Sequence, residues 1–297
     1  PVKEQASLRI ASYVDKTINI AATYPGVKKL VHTERLLIHG AGVYHTWHNQ
    51  DGAQFFLIGD VIGLRRADGS LSHPSIIKLE TEKIESPQGM LAIEGRFLIV
   101  KVLRDGSCEI WTDRFGCMDV YWQIIEGGVI LASGLDLLPV AESGAPSSSV
   151  GLAHTLTIYG NRPAKKHTLY KGVNRLGIDQ GIRIISGTVE LIARKFSPIS
   201  TGNYGKHQLI QYADILLDAI RARASTDCNV VSLSSGWDST AILGSLVYLF
   251  GNRKVRAVIG RMRYTNRTGV INQFEIDRAK AVADYYGVRL DICDLSY

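Results

Sequence analysis

A chain of 297 residues with 45% hydrophobic and 21% charged residues is too long for one comfortable core and has the make-up of a two-domain globular protein. No apolar run approaches the roughly 18 residues of a membrane span, and PVKEQASLRIASYVDK at the N-terminus lacks the apolar centre of a signal peptide, so the expected location is the cytoplasm. A net charge of +6 is modest for this length and does not by itself call for nucleic acid.

The first two-thirds of the sequence reads mainly as strands. LLIHGAGVYHTW, QFFLIGDVIGLRR, GRFLIVKVLRD, SCEIWTDR, VYWQII and GVILASG are short runs of β-branched and aromatic residues separated by Asp-Gly, Gly-Gly and Asn-Gln-Asp-Gly turns. His45 and His48 form a metal pair only on a suitable turn, and beside Asn49 and Gly52 a surface loop is the expectation. Cys108, Cys117, Cys228 and Cys293 show neither a CxxC pair nor zinc-type spacing, which predicts reduced, mostly buried thiols. ESGAPSSSVG has a loop's composition and GLAHTLTIYG that of a short helix, and LYKGVNRLGIDQGIRIISGTVELIARKF returns to strands. The spacing suggests an all-β sandwich or a layered α+β domain, ending in the composition shift SPISTGNYGKH, Ser197 to His207.

Beyond that boundary helix and strand alternate. HQLIQYADILLDAIRARA carries Leu209, Ile210, Ala213, Leu216, Leu217 and Ile220 on one helical face. NVVSL is a short buried strand, Asp238 to Phe250 an apolar helix, and VRAVIG a second strand. A helix from near Gln273 stops at Gly287, and RLDICDL is a third strand. Such alternation predicts a parallel three-layer α/β sheet. Three strands with two crossovers leave one face poorly covered, so the expectation is a fragment, or a chain completed by a partner. Arg253, Lys254, Arg256, Arg261, Arg263 and Arg267 crowd fifteen residues that hold no acid. They read either as a solvated strand edge and loop or as a surface for nucleotide or RNA phosphates.

The stretch SLSSGWDST joins the first of these strands to its helix. Ligands of open parallel sheets bind at the carboxyl ends of the strands, and Ser234 to Thr240 lies there. Gly236 lets the backbone approach a phosphate, the helix N-terminus favours an anion, and Ser234, Ser239 and Thr240 add hydroxyls. Asp238 repels phosphate, which leaves it helix capping or a grip on Mg2+. The stretch is neither GxxxxGK[ST] nor GxGxxG.

LSSGWDST resembles the LSGGxDSS/T loop of N-type ATP pyrophosphatases, and in particular of the asparagine synthetase family. QYADILLDAIRARASTDCNVV before it, RAVIGRM and FEIDRAKAVADYYGV after it, and GRFLIVKVLRDGSCEIWTDRFGCMDVYWQ, GGVILASGLDLL and LYKGVNRLGIDQG upstream are similar to that family in order. The resemblance implies an α+β, layered, Ntn-hydrolase-like glutaminase-type domain over residues 1–200. Residues 201–297 would then be the N-terminal part of an α/β parallel-sheet ATP pyrophosphatase domain. It implies that Ser234, Ser235, Gly236, Asp238, Ser239 and Thr240 hold ATP phosphates and Mg2+, with Asp238 on the metal and the backbone of Leu233 and Ile259 edging the adenine. Ser235 replaces the family's first glycine, and its Cβ narrows the approach to phosphate.

The chain departs from the family where a glutaminase needs its machinery. It begins with Pro1 in place of the nucleophilic Cys, IGDVIG stands where the family has NGEIYN, and no Arg clamp for the glutamine carboxylate is evident. Ile58 has nothing to donate to an oxyanion. The implied activity is therefore ATP-dependent amide formation through an acyl-adenylate with release of pyrophosphate. A small-molecule or peptide carboxylate is activated, and the nitrogen comes from ammonia or an amine within the substrate, as in lactam-forming and lasso-peptide-cyclising relatives. The residues of the second step are expected beyond Tyr297. Two other readings are a non-catalytic ATP- or peptide-binding subunit, a homo-oligomer or one completed by a C-terminal segment, and a tRNA-modifying pyrophosphatase. The last lacks a cysteine pair for sulfur transfer.

Overall fold

The structure is a computed structural model that describes residues 7–12, 28–33, 36–66, 69–125, 128–138, 146–157, 167–193, 202, 204–234, 236–263 and 269–296. The chain divides into two compact units, Pro1–Arg66 with Ser72–Ile199, and Ala67–Leu71 with Ser200–Tyr297.

In the first unit the strands are β1 (Ser7–Ser12), β2 (Lys28–His32), β3 (Leu36–Ala41), β4 (Val43–His48) and β5 (Gln54–Leu64). A 3-10 turn (Pro74–Lys78) and two short helices, α1 (Thr81–Ile84) and α2 (Pro87–Ala92), follow. The chain then forms β6 (Ile93–Val102), β7 (Cys108–Thr112), β8 (Tyr121–Ile125) and β9 (Gly128–Ala132). Helix α3 (Ser149–Leu156), β10 (Val173–Arg175), β11 (Gln180–Ile185) and β12 (Thr188–Ala193) complete it. One six-stranded antiparallel sheet runs β10-β8-β9-β1-β3-β2, the other β12-β11-β7-β6-β5-β4.

Side chains alternate across each strand, and that alternation builds the layers. Phe56, Ile58, Leu98, Val100, Ile110 and Ile182 of the second sheet pack against Leu36, Ile38, Val129 and Leu131 of the first. The residues between them, Phe55, Leu57, Phe97, Ile99 and Trp111, turn to the opposite face, where Ile77, Ile84 and Met90 of the 74–92 segment cover them. Those three apolar residues follow no helical or strand period, and the sequence gives no sign of their covering role.

LLIHGAGVYHTW reads as one strand but is two. Gly42 takes a left-handed φ of 67° and sends the chain from β3 in one sheet to β4 in the other. His45 and His48 consequently lie on the edge strand β4, and the loop expected for them is corrected to a strand. Strands β1 and β2, short and only partly apolar, are not evident in the sequence.

The second unit comprises α4 (Lys206–Arg223), β13 (Asn229–Ser232), α5 (Trp237–Phe250), β14 (Val255–Arg263), α6 (Gln273–Tyr286) and β15 (Arg289–Ser296). Its three strands are parallel, in the order β13-β14-β15. Helix α6 ends at Gly287 in a left-handed C-cap with φ 63°. Val231, Leu233, Val255, Ala257 and Ile259 pack on Leu243 and Leu246 of α5 and Ile276, Ala279 and Ala283 of α6. Val230, Ser232 and Arg256 point the other way and are exposed, so the opposite face of the sheet is open as its strand count implies.

Of the basic run, Arg256 sits where β14 is flanked by β13 and β15, Arg261 and Arg263 lie past the end of β13 where β14 is an edge, and Arg267 lies outside the described residues. The apolar stripe of α4 is engaged at one end alone: Ile220 reaches the core, whereas Leu209 and Ile210 are exposed.

Candidate functional site: the loop between β13 and α5

The amide of Leu233, one residue past β13, donates to the Val258 carbonyl at 2.8 Å and prolongs the ladder by one bond. Past that point Ser234 is exposed, Ser235 lies outside the described residues, and Gly236 is the N-cap of α5. The Ser234 hydroxyl accepts from the Gly236 amide at 3.2 Å and lies 3.0 Å from the Ser239 hydroxyl. Ser239 Oγ is also 3.1 Å from the Ser234 carbonyl and 3.2 Å from the Gly236 carbonyl. With one proton for three acceptors, that hydroxyl is free to re-aim. Thr240 Oγ1 donates to the Gly236 carbonyl at 3.0 Å, closing the first helical turn.

No side chain caps α5. Its first amides therefore point outward without an internal acceptor, and the helix dipole adds partial positive charge there. Asp238 stands exposed in this first turn and makes no hydrogen bond or ion pair among the described residues. An acidic side chain there is favourable to the dipole, yet its carboxylate is left available.

Gly236 is the informative residue. Its φ of −85° is open to any amino acid. A Cβ built on it would meet a single atom, Ser234 Oγ, at 3.2 Å. Backbone strain does not require glycine here, and the one atom a Cβ would crowd is a hydroxyl on a short side chain, so the space above Gly236 is otherwise open. An anion fits that space, since uncapped amides and two hydroxyls converge on it. A magnesium ion would be held by Asp238 together with the anion's own oxygens, the usual manner for Mg2+ on phosphates. Among the described residues no group of three or more His, Cys, Asp or Glu is arranged to hold a metal unaided.

Leu233 and Ile259 both bury their side chains in the core, so their backbones alone can border the loop. Beyond β13 the exposed edge of β14 is taken by Asn272, a residue not singled out from the sequence. Its Oδ1 accepts from the Met262 amide at 3.0 Å and its Nδ2 donates to the Gly260 carbonyl at 2.7 Å. A side-chain amide thus continues the ladder that β13 leaves, and it ties the start of α6 to the carboxyl end of the sheet.

In the first unit Ile58 is fully buried between the sheets and has no side-chain donor. Pro1 lies outside the described residues. The DRFG turn is built around buried Asp113, whose carboxylate accepts from the amides of Phe115, Cys117 and Met118 at 3.0 to 3.1 Å. That carboxylate shapes the turn. Of the four cysteines Cys108 alone is buried, with its thiol pushed up by burial and then by Glu109. Cys117, Cys228 and Cys293 are exposed, which corrects the expectation of mostly buried thiols.

No protein-family model matches the chain, and no curated protein matches it in sequence. Among solved structures it is similar to a glutamine-dependent NAD+ synthetase from Acinetobacter baumannii in complex with ADP, at 18% identity and a TM-score of 0.24. That match covers 45% of this chain and 23% of the synthetase, so the chain spans under a quarter of that protein's length. It is also similar to the glutamine phosphoribosylpyrophosphate amidotransferase from B. subtilis complexed with ADP and GMP, at 9% identity and a TM-score of 0.39, covering 99% of this chain and 85% of that one. Both likenesses are distant. Among the described residues no helix is long and apolar enough to cross a membrane.

Proposed function

We propose that the chain belongs to an ATP-dependent, amide-forming synthetase of the asparagine synthetase type, with residues 201–297 forming the nucleotide-binding part. The observation that carries this reading is Gly236, a glycine without backbone strain and with open space above it, at a helix N-terminus that no side chain caps. Ser234, Gly236 and Ser239 bind the triphosphate, Ser235 and Thr240 line the same loop, and the backbones of Leu233 and Ile259 border the base. Asp238 holds Mg2+, which neutralises charge on the phosphates.

In the proposed reaction a carboxylate oxygen forms a bond to the α-phosphorus and the bond to the β-phosphate oxygen breaks, releasing pyrophosphate. The nitrogen of an amine then bonds to the acyl carbon, AMP leaves, and the amine gives up a proton. The loop contributes by positioning and by matching charge. Residues 1–200 act as a scaffold or peptide-recognition domain derived from a glutaminase, and ammonia or a substrate amine supplies nitrogen. The reaction belongs in the cytoplasm, where ATP is abundant.

Calorimetric titration with MgATP tests the loop. Gly236→Ala is expected to weaken binding at least tenfold with its melting temperature little changed, and Asp238→Ala to remove the Mg2+ dependence. Ser235→Gly is expected to preserve or tighten binding. Unchanged affinity in both Gly236→Ala and Asp238→Ala refutes the assignment. Pyrophosphate exchange with a panel of carboxylates then reports adenylation.

A further inference from the structure

The two crossover helices of the second unit are apolar on the wrong side as well as the right one. Along α5, Trp237, Ala241, Gly244 and Tyr248 recur at i, i+4, i+7 and i+11; along α6, Phe274, Arg278, Ala281 and Tyr285 recur at the same spacing. This 4-3-4 spacing is that of a helix-packing seam. The core is served by Leu243 and Leu246 on α5 and by Ile276, Ala279 and Ala283 on α6, and of the two stripes Gly244 alone turns inward, against the Tyr286 ring of α6. The aromatic residues instead stand in solvent: Trp237 is 91% exposed, Tyr248 78%, Phe274 70% and Tyr285 82%. Between them lie the small residues Ala241 and Ala281, and Arg278.

The two helices cover the same face of the parallel sheet and run in the same direction, so the four rings mark the corners of one patch. It is about 16 Å long, from eleven residues at about 1.5 Å each, and about 10 Å wide, the usual interhelical distance. We propose that this patch is an isologous interface, in which the α5–α6 pair of one chain packs against the same pair of a second copy. Area supports that choice: four aromatics of about 150–250 Å² each, exposed to this degree, present about 600 Å². With Ala241 and Ala281 added, that approaches the ~800 Å² each partner gives to a standard interface.

Charge supports it too. Asp277 and Lys280 pair with one another at 3.7 Å, and the Arg278 guanidinium lies 5.4 Å from the centre of the Phe274 ring. A face of mixed sign does not call for an oppositely charged partner, whereas a single-signed face would. A two-fold axis across the patch runs the helices antiparallel, setting Trp237 of one chain towards the tyrosine end of the other and opposing the helix dipoles. The proposal does not depend on nucleotide chemistry.

Light scattering on the eluting 297-residue chain, at tens of micromolar, is the test. A mass of twice 32.6 kDa is expected. The double variant Trp237→Ser/Tyr285→Ser is expected to elute at a single chain's mass with an unaltered far-ultraviolet spectrum, because neither ring is part of a core. Val230→Ser, on the open sheet face, should leave the mass doubled. A single-chain mass for the unmodified protein at every concentration overturns the proposal and assigns the patch to another chain or segment. A dimer that survives the double variant overturns it as well, by placing the contact elsewhere.

Discussion

At the scale of single residues, Asn272 and His45 show how the surroundings of a polar group decide its role. Asn272 is buried and satisfies two backbone groups that β13 leaves unpaired. Replacing it by Ala orphans the Gly260 carbonyl and the Met262 amide near the end of the sheet, a cost of about 1–3 kcal/mol. Urea denaturation of Asn272→Ala checks that loss, and Asn272→Asp should recover part of it through the Met262 amide alone. His45 stacks on Trp47 with ring centroids 5.4 Å apart, and its pKa is lowered by burial and then by Lys78. The unfolded chain therefore takes up this proton at a higher pH than the folded one. The stability it contributes is present above about pH 6.5 and is lost as pH falls through the lowered folded value. Melting temperatures measured between pH 7.5 and 5 should fall less steeply in His45→Phe than in the unmodified chain.

These residue roles differ in how far the sequence displays them. Gly236 and Asp238 stand out because a strand, a glycine, a carboxylate and a helix start crowd into a few positions, and such local chemistry survives without coordinates. Asn272 is silent in sequence because its partners are ten and twelve positions away and belong to a strand edge that exists only after β13 ends. Thr240 reads as a hydroxyl aimed at a ligand, whereas its proton goes to the Gly236 carbonyl one turn back, a competition internal to every helix start.

At the scale of elements, the second sheet of the first unit carries a row of charges across four strands. Lys101, Glu109, Arg183 and Glu190 are register neighbours on β6, β7, β11 and β12. Arg183 Nε donates to Glu109 at 2.8 Å and its Nη1 to Glu190 at 3.3 Å. Glu109 is mostly shielded and Glu190 largely open, so the two bonds differ in worth. Arg183→Ala is expected to cost about 1–2 kcal/mol, less in 1 M salt, and Glu190→Ala no more than about 0.5 kcal/mol. Chemical denaturation at two salt concentrations separates these outcomes.

Helix α4 illustrates what periodicity leaves open. Its apolar spacing announces a helix, and a helix forms, but the stripe does not say how much of its length meets a core. Spacing identifies elements well when each has one apolar face. In β3 and β4 the apolar alternation runs on through Gly42, and nothing local distinguishes a sheet-switching bend from a continuous strand.

At the scale of the whole molecule, the two units place different chromophores and different secondary structure. Trp47, Trp111 and Trp122 belong to the first unit, and Trp237 of the second is exposed already in the fold. The long helices α4, α5 and α6 all belong to the second. Tryptophan emission during unfolding should therefore follow the first unit, and ellipticity at 222 nm chiefly the second. Each unit has its own buried cluster, and the second leaves one sheet face open. We expect the ellipticity transition to occur at lower denaturant than the emission transition; coincident curves would show that the units unfold as one.

The place of β1 sets a schedule for the first unit. It lies inside its sheet between β3 and β9, pairing Arg9 with both His39 and Ala132. A ribosome making about 5–20 residues per second delivers β9 on the order of ten seconds after β1. For that interval β1 has a neighbour on one side alone, and the nascent sheet keeps an unfilled edge into which another chain's strand would fit. Holding that edge shut until residue 132 emerges is work for whatever meets the growing polypeptide first.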